Sequence, residues 1–296
     1  MSVGARARAI GRAAFVLAMF YVSFGLLLYA GTILEWAALE GLRAARAFEL
    51  VHGWASVARG LLPLTVPGLL AAGVLYWALT RFFHRPPASW GWPHRPGRRL
   101  VEGAVWGVAL ALVTLLVCLA GGARVTGEAG AGLGYLAVGL PVLGGLALAA
   151  LLEELLFRGF PLVRLAEAAG RTGAALTLAL AFALMHAWNP DLSLLGVLNI
   201  GVASLLLSAV FLAGGGLAGA WGLHTGWNAG LALGADAPVS GLAFRLPAIA
   251  YDPGPREWLT GGGFGPEGGL AATAVLGAVT VWWGRRALTP ATEAAA

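Results

Sequence analysis

Three ionisable residues lie at the end of an apolar run that is long enough to cross a membrane, and this feature constrains the fold more than any other. Glu153, Glu154 and Arg158 follow residues 133–152, which contain no charged side chain. An ionisable side chain at bilayer depth costs at least ~2.5–3.5 kcal/mol on insertion scales, so such groups usually pair, face the bundle interior and serve a function. The sequence therefore predicts a membrane protein with a polar site inside it.

The composition supports a polytopic membrane protein. Of the 296 residues, 59% are hydrophobic and 11% are charged, whereas a soluble domain has ~25% charged residues. The net charge of +5 comes from arginines at the ends of apolar runs, so we expect membrane lipid around the protein and no nucleic acid partner. The single cysteine, Cys118, is expected to be a small buried hydrophobe.

Apolar stretches predict the transmembrane helices, because a helix needs ~20 apolar residues to cross the bilayer. We therefore predict an all-α fold, a polytopic membrane helix bundle of about eight transmembrane helices. The first stretch is too long for the core of a signal peptide, so we interpret it as an uncleaved span. The eight stretches are 13–34, 61–80, 103–121, 132–157, 172–188, 192–213, 215–233 and 269–284.

The arginines also predict the orientation of the spans through the positive-inside rule. With eight spans, the segments on one side carry 13 arginines and the segments on the other side carry 6. Both termini are therefore predicted to be cytoplasmic. Residues 35–60 have apolar residues at helical spacing, which fits either an interfacial helix or a helical extension of the first span.

Later spans contain further polar residues. His186 lies in the fifth stretch, Asn199 in the sixth, and His224 and Asn228 in the seventh. A lone histidine in a helix is more often a packing residue than a catalytic one. Two of the chain's five histidines, together with a glutamate pair, make a stronger case for a functional site.

Helical geometry divides these residues into faces. Glu154 and Arg158 are four residues apart and are expected to pair, while Glu153 points about 100° away from Glu154. Glu153 is therefore the candidate general base, although the geometry does not fix which glutamate acts. His224 and Asn228 are also four apart, and their donors suit a developing oxyanion.

Other hydrolase and nucleotide-binding motifs do not occur in the sequence. It has no His-Glu-x-x-His helix, no Walker loop and no Gly-x-Ser-x-Gly elbow. A divalent metal at Glu153, His186 and His224 is possible in principle. We rank it below a metal-free base, and expect no cofactor, because Arg158 would oppose a cation.

The residues described above, in their order, resemble the CPBP family, the CAAX-processing and bacteriocin-processing intramembrane endopeptidases also called the abortive-infection family. The family pattern is Glu-Glu-x-x-x-Arg, then Phe-x-x-x-His, then His-x-x-x-Asn/Asp, on separate spans. The resemblance covers roughly 150–275 and looks like a bacterial subgroup. The pattern is matched at Glu153, Glu154 and Arg158, at Phe182 and His186, and at His224 and Asn228.

The resemblance implies an eight-helix bundle with a cavity, and hydrolysis of a peptide bond by a glutamate-activated water. By the same resemblance, Glu153 and His186 would activate the water. His224 and Asn228 would stabilise the tetrahedral oxyanion.

The remaining site residues have supporting roles in this scheme. The resemblance implies that Glu154 and Arg158 hold the charge balance of the site. Phe182 of the second motif is a candidate substrate contact, and so are Trp188 and Trp227, which flank the proposed site. For the two tryptophans the first interpretation is packing or a place at the membrane interface, and substrate binding is the second.

The resemblance also shapes the expected organisation and substrate. We predict one membrane domain, with N-terminal spans at 1–131 that carry no recognisable motif and a catalytic bundle at 132–284. The substrate is expected to be a CAAX-like, leader or other membrane-associated peptide, cut in a bacterial inner membrane. In the loop before the last span, Gly261 to Gly263 are expected to form a turn. Glu267 is expected to be a solvated charge, with a role in tying down that loop as the second interpretation.

Two other functions compete with proteolysis. A membrane scaffold of the same fold, for example an immunity factor, would act by binding alone. A proton-coupled transporter would also place Glu, His and Arg inside the membrane, but no repeated pair of broken helices is found.

Overall fold

The computed structural model describes residues 3–44, 62–84, 86–127, 132–247 and 249–288. Within these residues the chain is almost entirely helical, which confirms the predicted all-α bundle. The helices are α1 (Val3–Ala44), α2 (Leu62–Phe83), α3 (Pro96–Ala120), α4 (Gly132–Phe157), α5 (Phe160–Ala169), α6 (Arg171–Met185), α7 (Leu194–Val210), α8 (Gly216–Ala235), α9 (Glu257–Thr260) and α10 (Leu270–Leu288).

Each of the eight predicted stretches coincides with a helix, and 132–157 matches α4 residue for residue. Residues 35–44 continue α1, as the helical-extension interpretation of 35–60 predicts, while 45–60 lie outside the described residues. By length and composition, five described segments could each cross a membrane. They are Val3–Leu34, Leu64–Phe82, Pro96–Ala120, Gly134–Ala169 and Leu194–Ala235.

The last two of these five segments each contain two consecutive helices, and α6 is apolar but shorter. Many large apolar side chains point outward, among them Leu26, Leu70, Leu116 and Leu140. An outer surface of this kind fits contact with lipid rather than with water. The protein is therefore an integral membrane protein, whereas the orientation of its termini stays a prediction.

The only strands in the described residues form a small two-stranded sheet that was not predicted. β1 (Arg124–Gly127) pairs antiparallel with β2 (Ile249–Asp252), with Val125 opposite Tyr251. The sheet joins the loop after α3 to the long loop between α8 and α10. It therefore fixes that long loop over one end of the bundle.

Helices α3 and α8 pack with their backbones in close contact, because glycines face each other along the interface. A Cβ atom at Gly107 would lie 2.6 Å from the backbone nitrogen of Trp227, and one at Gly226 would lie 2.9 Å from the carbonyl carbon of Ala104. Small residues allow such close approach in membrane bundles, where no hydrophobic force acts between helices. Since α3 precedes residue 131, the N-terminal spans and the motif-bearing bundle are packed against each other.

A five-residue π-helical turn, Phe211–Gly215, separates α7 from α8. Gly214 has a φ of 99° and Gly216 a φ of 58°, a region that favours glycine. Cys118 is fully buried beside Ala123 and Ala271, as predicted.

Candidate active site

Glu154 and Arg158 form the buried centre of the site. Arg158 Nη1 lies 3.1 Å from Glu154 Oε1, and both side chains are 0% exposed. The pair predicted from the four-residue spacing is thus present. Glu154 Oε2 is buried and has no hydrogen-bond partner among the described residues, so the compensation of this charge falls on the groups around Oε1.

Arg158 is held by two other helices besides its own. Its Nη2 donates to the Oγ of Ser204 on α7 at 2.7 Å. Its guanidinium lies over the ring of Phe182 on α6, 4.5 Å from the centroid, where a cation–π contact stabilises the charge. Phe182 thus supports the arginine, in addition to any contact with substrate.

His224 lies between the two glutamates. Its Nδ1 is 2.9 Å from Glu154 Oε1, and its Nε2 is 3.7 Å from Glu153 Oε2. Because an ionised carboxylate only accepts hydrogen bonds, Nδ1 carries the proton. The histidine therefore links the buried carboxylate on one side to the accessible one on the other.

The two neighbouring glutamates have unlike environments. The Glu153 side chain is 26% exposed, whereas that of Glu154 is fully buried. The 100° rotation between consecutive helical residues produces this difference. The Glu153 carboxylate is therefore partly open to its surroundings, whereas the Glu154 carboxylate is enclosed by protein.

His186 is the C-cap residue of α6. Its Nδ1 is 2.8 Å from the carbonyl oxygen of Phe182, and a carbonyl can only accept, so Nδ1 carries a proton. In the neutral ring, Nε2 is then free to accept a proton. Within the part of the chain that the structure describes, no hydrogen bond or ion pair joins His186 to Glu153.

A small cavity of about 40 Å³ lies among α6, α7, α8 and α10. A water molecule needs roughly 10–15 Å³ by this measure, so a few waters fit. Of the predicted site residues, Glu153, Glu154, Arg158 and Trp188 are absent from its wall. The residues that line it include Phe182, His186, His224, Trp227 and Asn228 from the motifs, with Asn199, Ser240, Glu267 and an apolar set made of Ile200, Ala203, Leu206, Leu207, Leu223 and Leu276.

Trp227 and Trp188 differ in placement. Trp227 is buried in the cavity wall, whereas Trp188 is 88% exposed and lies away from it. The structure thus places one of the two predicted substrate-binding tryptophans at the site. Trp188 lies in the turn after α6, beyond its C-cap His186, and not on a helix that faces the bundle interior.

The donor set gives little support for a metal. No group of three or more His, Cys, Asp or Glu side chains with a metal-binding arrangement occurs in the described residues. Glu154 already accepts from a guanidinium and an imidazole, and Arg158 would repel a cation. The metal-free site, with a divalent ion at Glu153, His186 and His224 as the second choice, stays a prediction.

Two tyrosines that no sequence motif singled out anchor the break between α4 and α5. Tyr76 Oη on α2 donates to the carbonyl of Leu155 at 2.7 Å and accepts from the Phe160 N–H at 2.7 Å. Tyr21 on α1 donates to the carbonyl of Leu156 at 2.8 Å. Nothing in the sequence around these two tyrosines distinguishes them from other tyrosines in apolar helices. Only the packed structure shows that their hydroxyls bind backbone groups beside the Glu-Glu motif.

Replacing Tyr76 by phenylalanine should lower the free energy of unfolding by about 1–3 kcal/mol, because it leaves two backbone groups without partners. Thermal unfolding of the purified protein in lipid would measure this change. Tyr29, an exposed residue of α1, supplies the control substitution Tyr29→Phe. Equal effects of both substitutions would show that the Tyr76 hydroxyl does not stabilise the break.

The fold and the site define an integral membrane protein that encloses a glutamate–histidine–arginine cluster within its helix bundle. Residues 135–230 match the model of a protein family described as type II CAAX prenyl endopeptidase Rce1-like. This segment contains all three motifs, and over it the chain is similar to the CAAX-type endopeptidases, which supports the predicted resemblance to the CPBP family. No curated protein and no solved structure matched the chain. The bacterial subgroup stays a prediction.

Proposed function

We propose that this protein is an intramembrane endopeptidase in which Glu153 activates a water molecule without a metal. The observation that carries the proposal is the unlike burial of the two glutamates. A general base must come within hydrogen-bond reach of the water whose proton it takes. Glu153, which is 26% exposed beside His224, meets this condition, while Glu154 is enclosed by Arg158 and His224.

In this mechanism the water oxygen attacks the scissile carbonyl carbon and gives one proton to Glu153. His186 orients the water through its free Nε2. Negative charge develops on the carbonyl oxygen, where the Nε2–H of a protonated His224 and the amide N–H of Asn228 stabilise it. The C–N bond then breaks, and the proton on Glu153 passes to the leaving nitrogen.

Glu154 and Arg158 keep the charge of the site balanced while this proton moves. Glu154 holds the Nδ1–H of His224, which aims Nε2 away from the buried pair. Arg158 offsets the charge of Glu154, and Ser204 and Phe182 fix the guanidinium. Glu154, Arg158, Ser204 and His224 therefore form one connected hydrogen-bonded unit.

We propose a membrane-associated peptide as the substrate, either a leader or a CAAX-like segment. The apolar part of the cavity wall, which includes Leu206, Leu207 and Leu223, suits an apolar side chain. We place the enzyme in a bacterial inner membrane with both termini in the cytoplasm, as the arginine distribution predicts.

The test is hydrolysis of a library of quenched-fluorescent membrane peptides by purified protein in lipid. We expect Glu153→Gln to lower the cleavage rate by at least ~100-fold, the usual contribution of a general base. Glu257→Gln, which changes an exposed glutamate, should leave the rate unchanged. Thermal unfolding of each variant would confirm that it is folded.

The other outcomes of this test separate the alternatives. Cleavage that a chelator abolishes would transfer Glu153, His186 and His224 to metal-ligand roles. Cleavage that survives Glu153→Gln would remove that residue as the base. If no variant cleaves any peptide in the library, the non-proteolytic binding scaffold becomes the better explanation.

A further inference from the structure

Glu267 is a buried carboxylate that none of the family motifs includes. It lies in a short 3-10 turn, Pro266–Gly268, just before α10, and is only 9% exposed. The sequence favoured a solvated charge over one that ties down its loop, and this prediction was wrong, because Glu267 is buried and hydrogen-bonded. It also lines the cavity, together with His186 and Asn228.

Both carboxylate oxygens of Glu267 accept hydrogen bonds. Oε1 accepts from the indole Nε1–H of Trp227 at 2.7 Å. Oε2 accepts from the backbone N–H of Ser240 and from its hydroxyl, the latter at 3.0 Å. Every partner is a donor, so the group must be an acceptor at both oxygens. With both oxygens occupied, Glu267 is poorly suited to be a second general base.

The turn that carries Glu267 is itself fixed to the bundle. Asn199 on α7 is buried, and its Nδ2 donates to the carbonyls of Glu267 at 2.8 Å and Gly269 at 2.9 Å. The Oδ1 of Asn199 accepts from Thr273 on α10 at 2.7 Å. A buried polar network whose members all have partners gives a rigid arrangement.

The glycines of this turn allow it to pack onto its surroundings. Gly265 has a φ of 90° and faces the backbone of Pro238, where a Cβ atom would lie 2.8 Å from the carbonyl carbon. The turn therefore contacts the loop around Ser240 through the backbone at Gly265 as well as through the Glu267 carboxylate. Three separate segments thus meet at one carboxylate.

We propose that Glu267 is a positioning residue that fixes Trp227 and the Ser240 loop, and so determines which substrate side chain the cavity accepts. The inference rests on the proposed function, because it assigns the cavity to a substrate side chain. Trp227 is buried in the cavity wall and precedes Asn228, the proposed oxyanion donor, on α8. Fixing the indole fixes the size of the apolar space beside that donor.

Glu267→Gln removes the carboxylate with little change in shape. The amide keeps one acceptor, but its NH₂ group must then face either the indole N–H or the Ser240 donors. We expect the indole to be released and the cavity to lose its defined size. Discrimination between a small and a large side chain at one substrate position should fall by about 10-fold, the equivalent of one buried hydrogen bond.

The experiment measures binding, so that it does not depend on turnover. Glu153→Gln protein in lipid nanodiscs would be titrated with fluorescein-labelled transmembrane peptides that differ at one position, from alanine to phenylalanine. The same titrations would follow with Glu267→Gln, Trp227→Phe or both added. The exposed Glu257→Gln serves as the matched control.

We expect Glu267→Gln and Trp227→Phe each to reduce the difference in affinity between the peptides. The double variant should reduce this difference no further than the single variant with the larger effect. Glu257→Gln should leave the preference intact. Changes in thermal stability alone, with the same preference in every variant, would overturn the proposal and leave Glu267 a structural residue. Peptide binding that is absent, or indifferent to the varied side chain before any change at Glu267, would also overturn it.

A second measurement tests the hydrogen bond from the Trp227 indole to Glu267 directly. The indole Nε1–H resonance of Trp227, assigned by its loss in Trp227→Phe, should shift and exchange faster with solvent in Glu267→Gln. An unchanged resonance would contradict the role of Glu267 in fixing the Trp227 indole. Cleavage by wild-type protein is scored separately, so failure of the proposed proteolysis is distinguished from failure of this inference.

Discussion

Arg158→Met is expected to lower the free energy of unfolding by about 3–5 kcal/mol, the usual effect of removing one partner of a buried ion pair. Methionine keeps much of the length of the side chain but no charge. Glu154 would then remain fully buried with only His224 to offset it, and the Ser204 hydroxyl would lose its donor. The loss would be measured by unfolding the purified protein with heat or denaturant in lipid or mild detergent.

Two companion variants test the reason for that loss. Arg164→Met breaks a partly exposed ion pair with Glu167 on α5, and such pairs contribute only about 0–1 kcal/mol. Glu154→Gln combined with Arg158→Met removes both charges, so most of the stability should return. A loss at Arg158 no larger than the loss at Arg164 would contradict the assignment of a buried, compensated pair.

The double variant also separates stability from activity. It should be folded, because no unpaired charge remains in the core. We expect it to be inactive, since a glutamine at 154 is a weaker acceptor for the Nδ1–H of His224 and no longer stabilises the protonated ring that the proposed mechanism needs at the oxyanion. Activity close to that of the wild type would show that the pair serves the fold alone.

The sequence was sufficient to predict the parts of this protein that depend on local pattern. Apolar length identified the helices, because backbone groups in lipid must bond within their own helix. The four-residue spacing identified the Glu154–Arg158 pair. The 100° step between neighbours predicted that Glu153 would point elsewhere.

Contacts between distant segments were beyond prediction from one sequence. Ser204 is 46 residues from Arg158, and nothing in its local pattern distinguishes it from other serines in apolar helices. Glu267 resembles an exposed charge in a glycine-rich loop, and only the packing of Trp227 and Ser240 around it shows its burial. The β1–β2 pair likewise joins two four-residue strands more than a hundred residues apart.

The glycine interface between α3 and α8 supports the second large prediction. Gly107→Ala and Gly226→Ala should each lower the free energy of unfolding by roughly 3 kcal/mol or more, at or above the upper end of overpacking costs. In both cases the new Cβ atom meets backbone, at Trp227 or at Ala104, so no side chain can rotate away. The two helices must separate instead.

Separation of these helices would also disturb the site, because α8 carries His224 and Asn228. We therefore expect the cleavage rate of any folded fraction to fall together with stability. Gly144→Ala in α4, Gly201→Ala in α7 and Gly277→Ala in α10 are matched controls, since a Cβ atom at these positions meets nothing within 4 Å.

The controls should be neutral or stabilising by about 0.5–1 kcal/mol, because alanine suits a helix better than glycine. Comparing unfolding and cleavage across the five variants separates close backbone contact from a general intolerance of the bundle to added methyl groups. If Gly107→Ala and Gly226→Ala behave like the controls, α3 does not set the position of α8. In that case Tyr21 and Tyr76 would still connect the N-terminal spans to the backbone beside the Glu-Glu motif.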